Sequence, residues 1–431
     1  MKSIARRRGK GKRKVEQLRK ELTEMMMLGK IDDIDIKVWL LQAGMPAILT
    51  HVQEVFEEEV NRLAGEKGSH GKQVVRWGGQ GGSIYVTDQK VPLRVPRMRD
   101  MQTGQEVPLQ AYHKLQSPRH ADEHAYRKMI NGVSSRKYHD AAALVPQVFG
   151  VSASSVSQRF IKQASTALQK LQERRLDAYT FVVLFIDGKR FADDGVMVSL
   201  GITLQGEKVI LGLEQTATEN SRAIQQHIAG LQERGLNYSH GILCVIDGSK
   251  GIHKAVKEAF KECVVIQRCQ WHKIENIVSY LPKSVQALWR EKLRHAYAQQ
   301  GYAEAKQELL KLKNELQRLN PSAAASLQEG CEETLTLHRL KVVAPLRKHL
   351  STTNMLESIM AQVEQYTARV DRWHSGAQIQ RWNAAALMEI EPRLRSVRGF
   401  RCLPLLQEQL RQELETIRNS EKITEQELVG V

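Results

Sequence analysis

No stretch of about 18 apolar residues occurs in the 431-residue chain, so no helix is expected to cross a bilayer. The basic N-terminus lacks the apolar segment of a secretory signal, since Met25-Met26-Met27-Leu28 is too short. Cysteine is scarce, odd in number and scattered, at Cys244, Cys263, Cys269, Cys331 and Cys402. That excludes a disulfide scaffold and suits a reducing cytoplasm. Acidic residues are also short: 48 Asp and Glu face 64 Lys and Arg, a net charge of +16. Such a surplus favours a polyanion, and without a membrane segment the expected partner is nucleic acid. Hydrophobic residues make up 42% of the chain, enough to bury a sizeable core.

Residues 1–20 hold ten Lys or Arg and one Glu, which fits both a solvated tail and a phosphate-gripping one. Residues 38–66 read as helix, with apolar positions at Val38, Leu40, Leu41, Met45, Ile48, Val52, Val55 and Phe56. Glycine is then dense in Trp77-Gly78-Gly79-Gln80-Gly81-Gly82, which reads as a turn. Alternating runs at 83–86 and 91–97 predict a small β-ribbon with a basic face. Asp140 to Phe149, the turn Gly150-Val151-Ser152 and Ser154 to Lys170 read as helix, turn, helix. Val156, Phe160 and Ile161 are expected inward, and Ser155, Gln158, Arg159 and Lys162 outward. A plain helical hairpin and a DNA-binding helix-turn-helix both fit, and the basic charge favours the second.

Residues 180–268 alternate between elements. Phe181 to Ile186, Val196 to Thr203 and Lys208 to Thr216 read as strands, the last two joined by a hairpin turn at Gln205-Gly206-Glu207. A helix from about Asn220 to Arg234, a strand Gly241 to Ile246, a helix Gly251 to Phe260 and a strand Val264 to Arg268 follow. The order implies an α/β sheet of five strands that mixes antiparallel and parallel pairing. Residues 273–350 read as helical, with leucines 309, 312, 316 and 319 as a packing stripe. A further helix runs from Asn354 to about Val370, and the chain closes in a polar tail.

Two of the apolar strands end alike, in Ile186-Asp187-Gly188-Lys189-Arg190 and Ile246-Asp247-Gly248-Ser249-Lys250. A carboxylate at a strand's end lies at the sheet rim, where ligands bind. Hard divalent cations take carboxylate oxygens and keep positions open for phosphate. Asp-Gly after a strand is also a common turn, so either copy alone says little, and the pair says more. Glu357 is the candidate third acid, although Asn354 with Glu357 three residues on also resembles a capping box. Asp193, Asp194, Glu214 and Glu364 are weaker candidates. Lys189, Arg190 and Lys250 flank the acids, as phosphate ligands or as plain surface charge. Cys269 and His272 sit three residues apart after the fifth strand. They fit either a zinc site, with Cys263 and His253 as further ligands, or a packed thiol with an imidazole facing the acids or the DNA.

In this order the motifs resemble those of the mutator-type DDE transposases of bacterial insertion sequences, over roughly residues 70–410. The likeness rests on the blocks at 186–190 and 246–251, on Gln267-Arg268-Cys269-Gln270-Trp271-His272, and on Ser351-Thr352-Thr353-Asn354-Met355-Leu356-Glu357. It implies a ribonuclease-H-like catalytic core with an all-helical insertion before the last acid. It implies that Asp187, Asp247 and Glu357 bind two Mg²⁺ or Mn²⁺ ions, with Cys269, His272 and Asn354 beside them. The implied activity is hydrolysis of a phosphodiester at an element's end, then attack of the freed 3′-hydroxyl on a second one. The implied partners are double-stranded terminal inverted repeats and target DNA, bound by a homodimer or larger assembly on the bacterial nucleoid. One departure is that Ser358, not the usual Arg, follows the third acid. A non-catalytic DNA-binding regulator and a nuclease of the same fold are the alternatives.

The expected organisation is a basic tail (1–20), a helix and β-ribbon region (21–110) and a helix-turn-helix-like domain (111–178). Then come the first part of the core (179–272), a helical insertion (273–350), the last part of the core (351–400) and a C-terminal tail (401–431).

Overall fold

The computed structural model describes residues 33–69, 71–86, 89–116, 121–133, 153–191, 194–216 and 221–429. The basic tail and the first helix and turn of the expected helix-turn-helix lie outside them. The chain divides into two compact units, residues 1–163 and 164–431. Among the described residues no helix is long and apolar enough to cross a membrane.

The first unit opens with helix α1 (Asp33–Ala64). Val52, Phe56, Val60 and Ala64 recur every fourth residue and are all buried, so one stripe faces the core. Ile48, one step earlier in the same series, is exposed, against expectation. The stripe packs on an antiparallel ribbon of β1 (Val74–Val86) and β2 (Gln89–Asp100), to which β3 (Glu106–Val107) adds a short edge. The glycine cluster is not a turn but lies within β1. Strand register slips between Arg76 and Gly79, and Gly78 takes a φ of +82°, so the cluster makes a bulge. A Cβ on Gly82 would stand 2.6 Å from the Tyr112 hydroxyl in α2 (Gln110–Gln116), which is why a side chain is missing there. Buried Glu59 accepts the Gln110 and Ala111 N–H groups at 2.8 and 2.9 Å, satisfying the open start of α2. Helices α3 (Ala121–Ile130) and α4 (Ala153–Glu173) follow, and the boundary between units falls inside α4.

The second unit is built on β4 (Phe181–Phe191), β5 (Asp194–Thr203), β6 (Lys208–Thr216), β7 (Ile242–Ile246) and β8 (Val264–Arg268). The sheet order is β6-β5-β4-β7-β8. Pairing is antiparallel among the first three and parallel from β4 to β7 to β8, as the element order implied. The turn at Gly206 has a φ of +83° and passes so close to Phe400 that a Cβ would stand 2.3 Å from it. Helices α5 (Ser221–Glu233) and α6 (Lys250–Phe260) cover one face, on which Leu184, Ile186, Ile242, Cys244 and Ile246 point. Strand alternation turns Val183, Phe185 and Asp187 to the other face. Strand β4 runs five residues past Ile186, because β5 still pairs with it after β7 has ended. Asp187 is therefore inside a strand and not at its end.

Helices α7 (Gln270–Ser279), α8 (Lys283–Tyr297), α9 (Tyr302–Leu319) and α10 (Pro321–Gln328) pack around Trp289, Leu293, Leu309, Leu312 and Leu316. Leu319 leaves the stripe and is 62% exposed, because α9 ends there and Asn320 caps α10. Short helices α11 (Cys331–Thr334), α12 (Thr336–Arg339) and α13 (Ala344–Leu350) lead back to the sheet. Then come α14 (Asn354–Thr367), α15 (Gly376–Ile390) and α16 (Leu403–Val429). The segment expected to be a polar tail is helix, with Leu403, Leu406, Leu410 and Leu414 buried at three- and four-residue spacing. Two ion pairs hold α16 down, Arg339 Nε to Glu413 at 2.6 Å and Arg418 Nε to Glu262 at 3.2 Å.

One buried polar pair sits in this sheet core. His227 of α5 lies 2.9 Å from the Ser199 hydroxyl of β5, and burial pushes its imidazole down from 6.5 to about 4. Between those values the unfolded chain binds a proton that the folded chain refuses. The stabilising contribution is therefore complete above about pH 6.5 and is lost as pH falls towards 4. Between pH 7 and pH 4 the stability difference between parent and His227→Gln should shift by roughly 3 kcal/mol against the parent, read from urea unfolding at both pH values.

Candidate active site

Strands β4 and β7 pair in parallel through Ile186 and Ile246, so Asp187 and Asp247 follow side by side. Each carboxylate is braced locally. Asp187 Oδ1 accepts the Gly188 N–H at 2.9 Å, and Asp247 Oδ1 accepts the Ser249 N–H at 2.8 Å. Glu357 arrives from the first turn of α14, which packs against β4. Burial pushes the Asp187 carboxyl up from 3.8 to about 7, and the charges of Asp247 and Glu357 push it the same way. The His272 charge and the Gly188 N–H pull against them. Asp187 thus feels the charge of two acids from distant parts of the chain.

His272 lies between the acids and a buried thiol. Its Nε2 is 3.5 Å from Glu357 Oε1, and its Nδ1 is 3.4 Å from the Thr353 hydroxyl. The Cys269 sulfur bond raises its imidazole to about 9, burial opposes, and the charges of Asp187 and Glu357 add to the rise. Burial pushes the Cys269 thiol up, but hydrogen bonds from His272 and Thr353 outweigh it and the net direction is down. Among the described residues the two further zinc ligands expected from the sequence are engaged elsewhere. His253 goes to Glu333 at 2.6 Å, and Cys263 lies 3.6 Å from the Arg418 guanidinium. Cys269 is buried, and His272 turns towards Glu357.

The remaining positions of that motif do structural work that the sequence did not disclose. Gln267 donates to Thr334 O at 3.1 Å and accepts the Leu337 N–H at 3.1 Å. Gln270 also reaches Thr334 O, at 2.8 Å. Buried Lys273 donates to Ser326 O and Glu329 O at 2.7 and 2.6 Å, where α10 ends, and Arg268 reaches Glu329 O and Gly248 O. These cations meet the carbonyl end of a helix, where its dipole favours them. Their combined effect is to fasten the helical region to the sheet next to Asp247.

The basic candidates differ. Lys189 points along the same strand face as Asp187 and lies 2.8 Å from Glu364, two turns beyond Glu357 on α14. Arg190 and Lys250 are exposed. Asn354 is exposed as the first residue of α14, and Thr353 occupies the cap position. The capping box expected from Asn354 and Glu357 does not form; Thr353 O accepts the Glu357 N–H instead, at 3.0 Å. In the first unit, Gln158 is exposed on α4 and Ser155 half-buried, while Lys162 is exposed but 2.9 Å from Asp122. Arg159 is not outward: it binds Asp122 at 3.2 Å and the Tyr85 hydroxyl at 3.1 Å. Ile161, expected inward, is 41% exposed. The helix is turned so that Arg159 covers Tyr85, and Ile161 faces solvent instead.

Three carboxylates are the all-oxygen, anionic kind of donor that a hard divalent ion takes. As placed, no three His, Cys, Asp or Glu among the described residues stand closely enough to hold an ion. The raised Asp187 carboxyl, pushed up by burial first and by the other acids second, has a consequence for stability. Between 3.8 and about 7 the folded chain keeps a proton that the unfolded chain releases, so this group's stabilising contribution is present below 3.8 and lost as pH rises through about 7. Asp187→Asn stays neutral throughout. In chelator-treated buffer its stability should match the parent near pH 4 and exceed it at pH 8, read from denaturant midpoints.

Residues 22–392 match the family described as Transposase, Mutator family. The transposase for insertion sequence element ISRM5 of Rhizobium meliloti (strain 1021) is 28% identical over 334 residues, which is 74% of this chain and 80% of that protein. The transposase for insertion sequence element IS256 in transposon Tn4001 of Staphylococcus aureus is 24% identical over 312 residues, 69% of this chain and 76% of its own. The transposase for insertion sequence element IS905 of Lactococcus lactis subsp. lactis (strain IL1403) is 25% identical over 287 residues, 65% and 70% of the two chains. The family match takes in Asp187, Asp247, the Cys269–His272 turn and Glu357, and the chain belongs to the mutator family of transposases.

Proposed function

We propose that this chain cleaves and joins DNA strands at the ends of an insertion sequence, with Asp187, Asp247 and Glu357 as the ligands of two divalent cations, Mg²⁺ or Mn²⁺. The observation that carries the proposal is the in-step parallel pairing of β4 with β7, which sets Asp187 beside Asp247 with the Glu357 helix packed on β4, and the raised Asp187 carboxyl agrees with it. The sheet supports it too. Three antiparallel strands followed by two parallel ones, with the first strand central, agree with a ribonuclease-H-like core.

Such ions, when bound, supply activation of the attacking oxygen and stabilisation of the leaving one. The protein's share is positioning and charge. Asp187 and Asp247 present adjacent carboxylates on the sheet, and Glu357 closes on them from α14. His272, cationic near neutrality, offsets part of their charge from the flank. Lys189 is tied to Glu364 in the free protein and is released to the DNA when a phosphate competes for it. Lys250 and Arg190 stand exposed for backbone contact. Terminal-repeat recognition falls to the first unit and to α4, where Gln158, Lys162 and Ser155 are the contacts proposed. Arg159 serves that face indirectly, by holding Asp122 and Tyr85. The partners are double-stranded element ends and target DNA, held by a dimer or larger assembly in the cytoplasm.

Replacing Asp187, Asp247 or Glu357 by Ala should lower cleavage of a plasmid bearing the element ends by on the order of 10³-fold or more, because each removes several kcal/mol of charge stabilisation. Binding of the same ends in a gel-shift assay should persist. Cleavage at the parent rate by the Asp187 or Asp247 variant would sink the assignment. A pre-cleaved, labelled end that is never joined to target DNA would reduce the protein to a nuclease.

A further inference from the structure

Glu357 reaches the site on a helix that the chain builds only after the long helical region, so its height above the strands has to be set by something other than sequence neighbours. Cys269 and Thr353 are 84 residues apart and in contact. We infer that Thr353 is a positioning residue, which locks the Glu357 carboxylate in register with Asp187 and Asp247 through the Cys269–His272 turn. The inference rests on the metal-site reading above and adds to it a residue with a stated task.

Thr353 is fully buried at the cap position of α14. A threonine there ordinarily gives its oxygen to a free N–H of the helix, and this one makes no such bond. Its hydroxyl stands instead 3.2 Å from Glu357 Oε1, 3.4 Å from His272 Nδ1 and 3.6 Å from the Cys269 sulfur. With a proton on Nδ1, His272 donates to the Thr353 oxygen, and the single hydroxyl proton goes to the Glu357 carboxylate. The backbone completes the clasp. Thr353 N–H donates to the Cys269 sulfur at 3.4 Å, and Gln270 N–H donates to Ser351 O at 2.9 Å. On the other side, Cys269 N–H donates to Ile246 O at 2.8 Å, one residue before Asp247. A single turn therefore grips the end of β7, the loop before α14 and the side chain of the third acid. The parallel pairing of β4 with β7 carries the register on to Asp187.

Thr353→Val keeps the shape and removes the hydroxyl; Thr353→Ser keeps the hydroxyl and removes the methyl. Cys269→Ala deletes the sulfur acceptor and leaves Thr353 in place. Crystal structures of the full-length, metal-free proteins are the first readout. Glu357 should leave its place beside His272 in Thr353→Val and, by a smaller shift, in Cys269→Ala, and should stay in Thr353→Ser. Calorimetric titration with Mn²⁺ is the second. Affinity should fall by about 10–100-fold in Thr353→Val and recover in Thr353→Ser, with binding of the element-end DNA unchanged. An unmoved Glu357 and unchanged Mn²⁺ affinity in Thr353→Val would overturn the inference. So would a serine variant as damaged as the valine one, since packing and not the hydroxyl would then be responsible. A parent protein that takes up no Mn²⁺ would instead remove the metal reading, and the position of Glu357 in the variant crystals would still decide the role of Thr353.

Discussion

Asp187 and Asp247 are neighbours because two buried apolar strands run parallel and in step through Ile186 and Ile246. Slipping that pairing by one residue would turn every side chain of a strand to the opposite face and send one acid into the hydrophobic layer under α5 and α6. The full burial of Leu184, Ile186, Cys244 and Ile246 holds the register where it is. The cost of the arrangement appears at Asp187, whose carboxyl is crowded by burial and by like charge. A fold tolerates such crowding where function requires it, and acids with displaced proton affinities gather at functional sites.

The surroundings of the acids divide into groups that set position and groups that set charge. Gln267, Arg268, Gln270 and Lys273 bind backbone carbonyls or N–H groups of the helical region, and Arg268 also reaches Gly248 O beside Asp247. Burying the Lys273 ammonium is costly in general, and here it holds its proton less tightly than usual, at about 8. Two carbonyls at the end of α10 compensate for part of the lost water. Cys269 and His272 are interleaved with those residues. One short stretch of chain thus bolts the helical region to the sheet and furnishes the flank of the site. Lys189 and Glu364 add an ion pair between β4 and α14, on the same strand face as Asp187.

The first unit obeys a different economy. Its core is thin, one helical stripe on a ribbon, and the ribbon's cations are largely engaged. Arg97 is held by Glu106 at 2.7 Å, Arg76 by Glu57 at 3.0 Å, and Arg99 lies over the Trp77 ring at 4.8 Å. A positive net charge therefore does not translate into a uniformly free basic face. Arg159 is the clearest case, because the polar face of its helix is partly spent on Asp122 and Tyr85.

Strand and helix identity in the second unit was legible in the residues, since buried runs such as Phe181–Ile186 and periodic ones such as Ile252, Ala255, Val256 and Phe260 state their period locally. The two aspartates were legible for the same reason, each at the close of an apolar run followed by glycine. Element ends were less so. The sequence breaks at Asp187 while β4 continues to Phe191, because the partner that extends it, β5, is supplied from outside the local window. The Leu403–Leu414 stripe sat in a segment polar enough to pass for a tail until the sheet gave it a surface to cover. Thr353 carries no local mark at all: its task exists only where a hydroxyl, a sulfur, an imidazole and a carboxylate from separate segments meet. Local pattern specifies which residues prefer a strand, a helix or a turn. Which of them meet across 84 residues of chain depends on the packing of the whole, because hydrogen bonds between distant segments form only once those segments are folded into place.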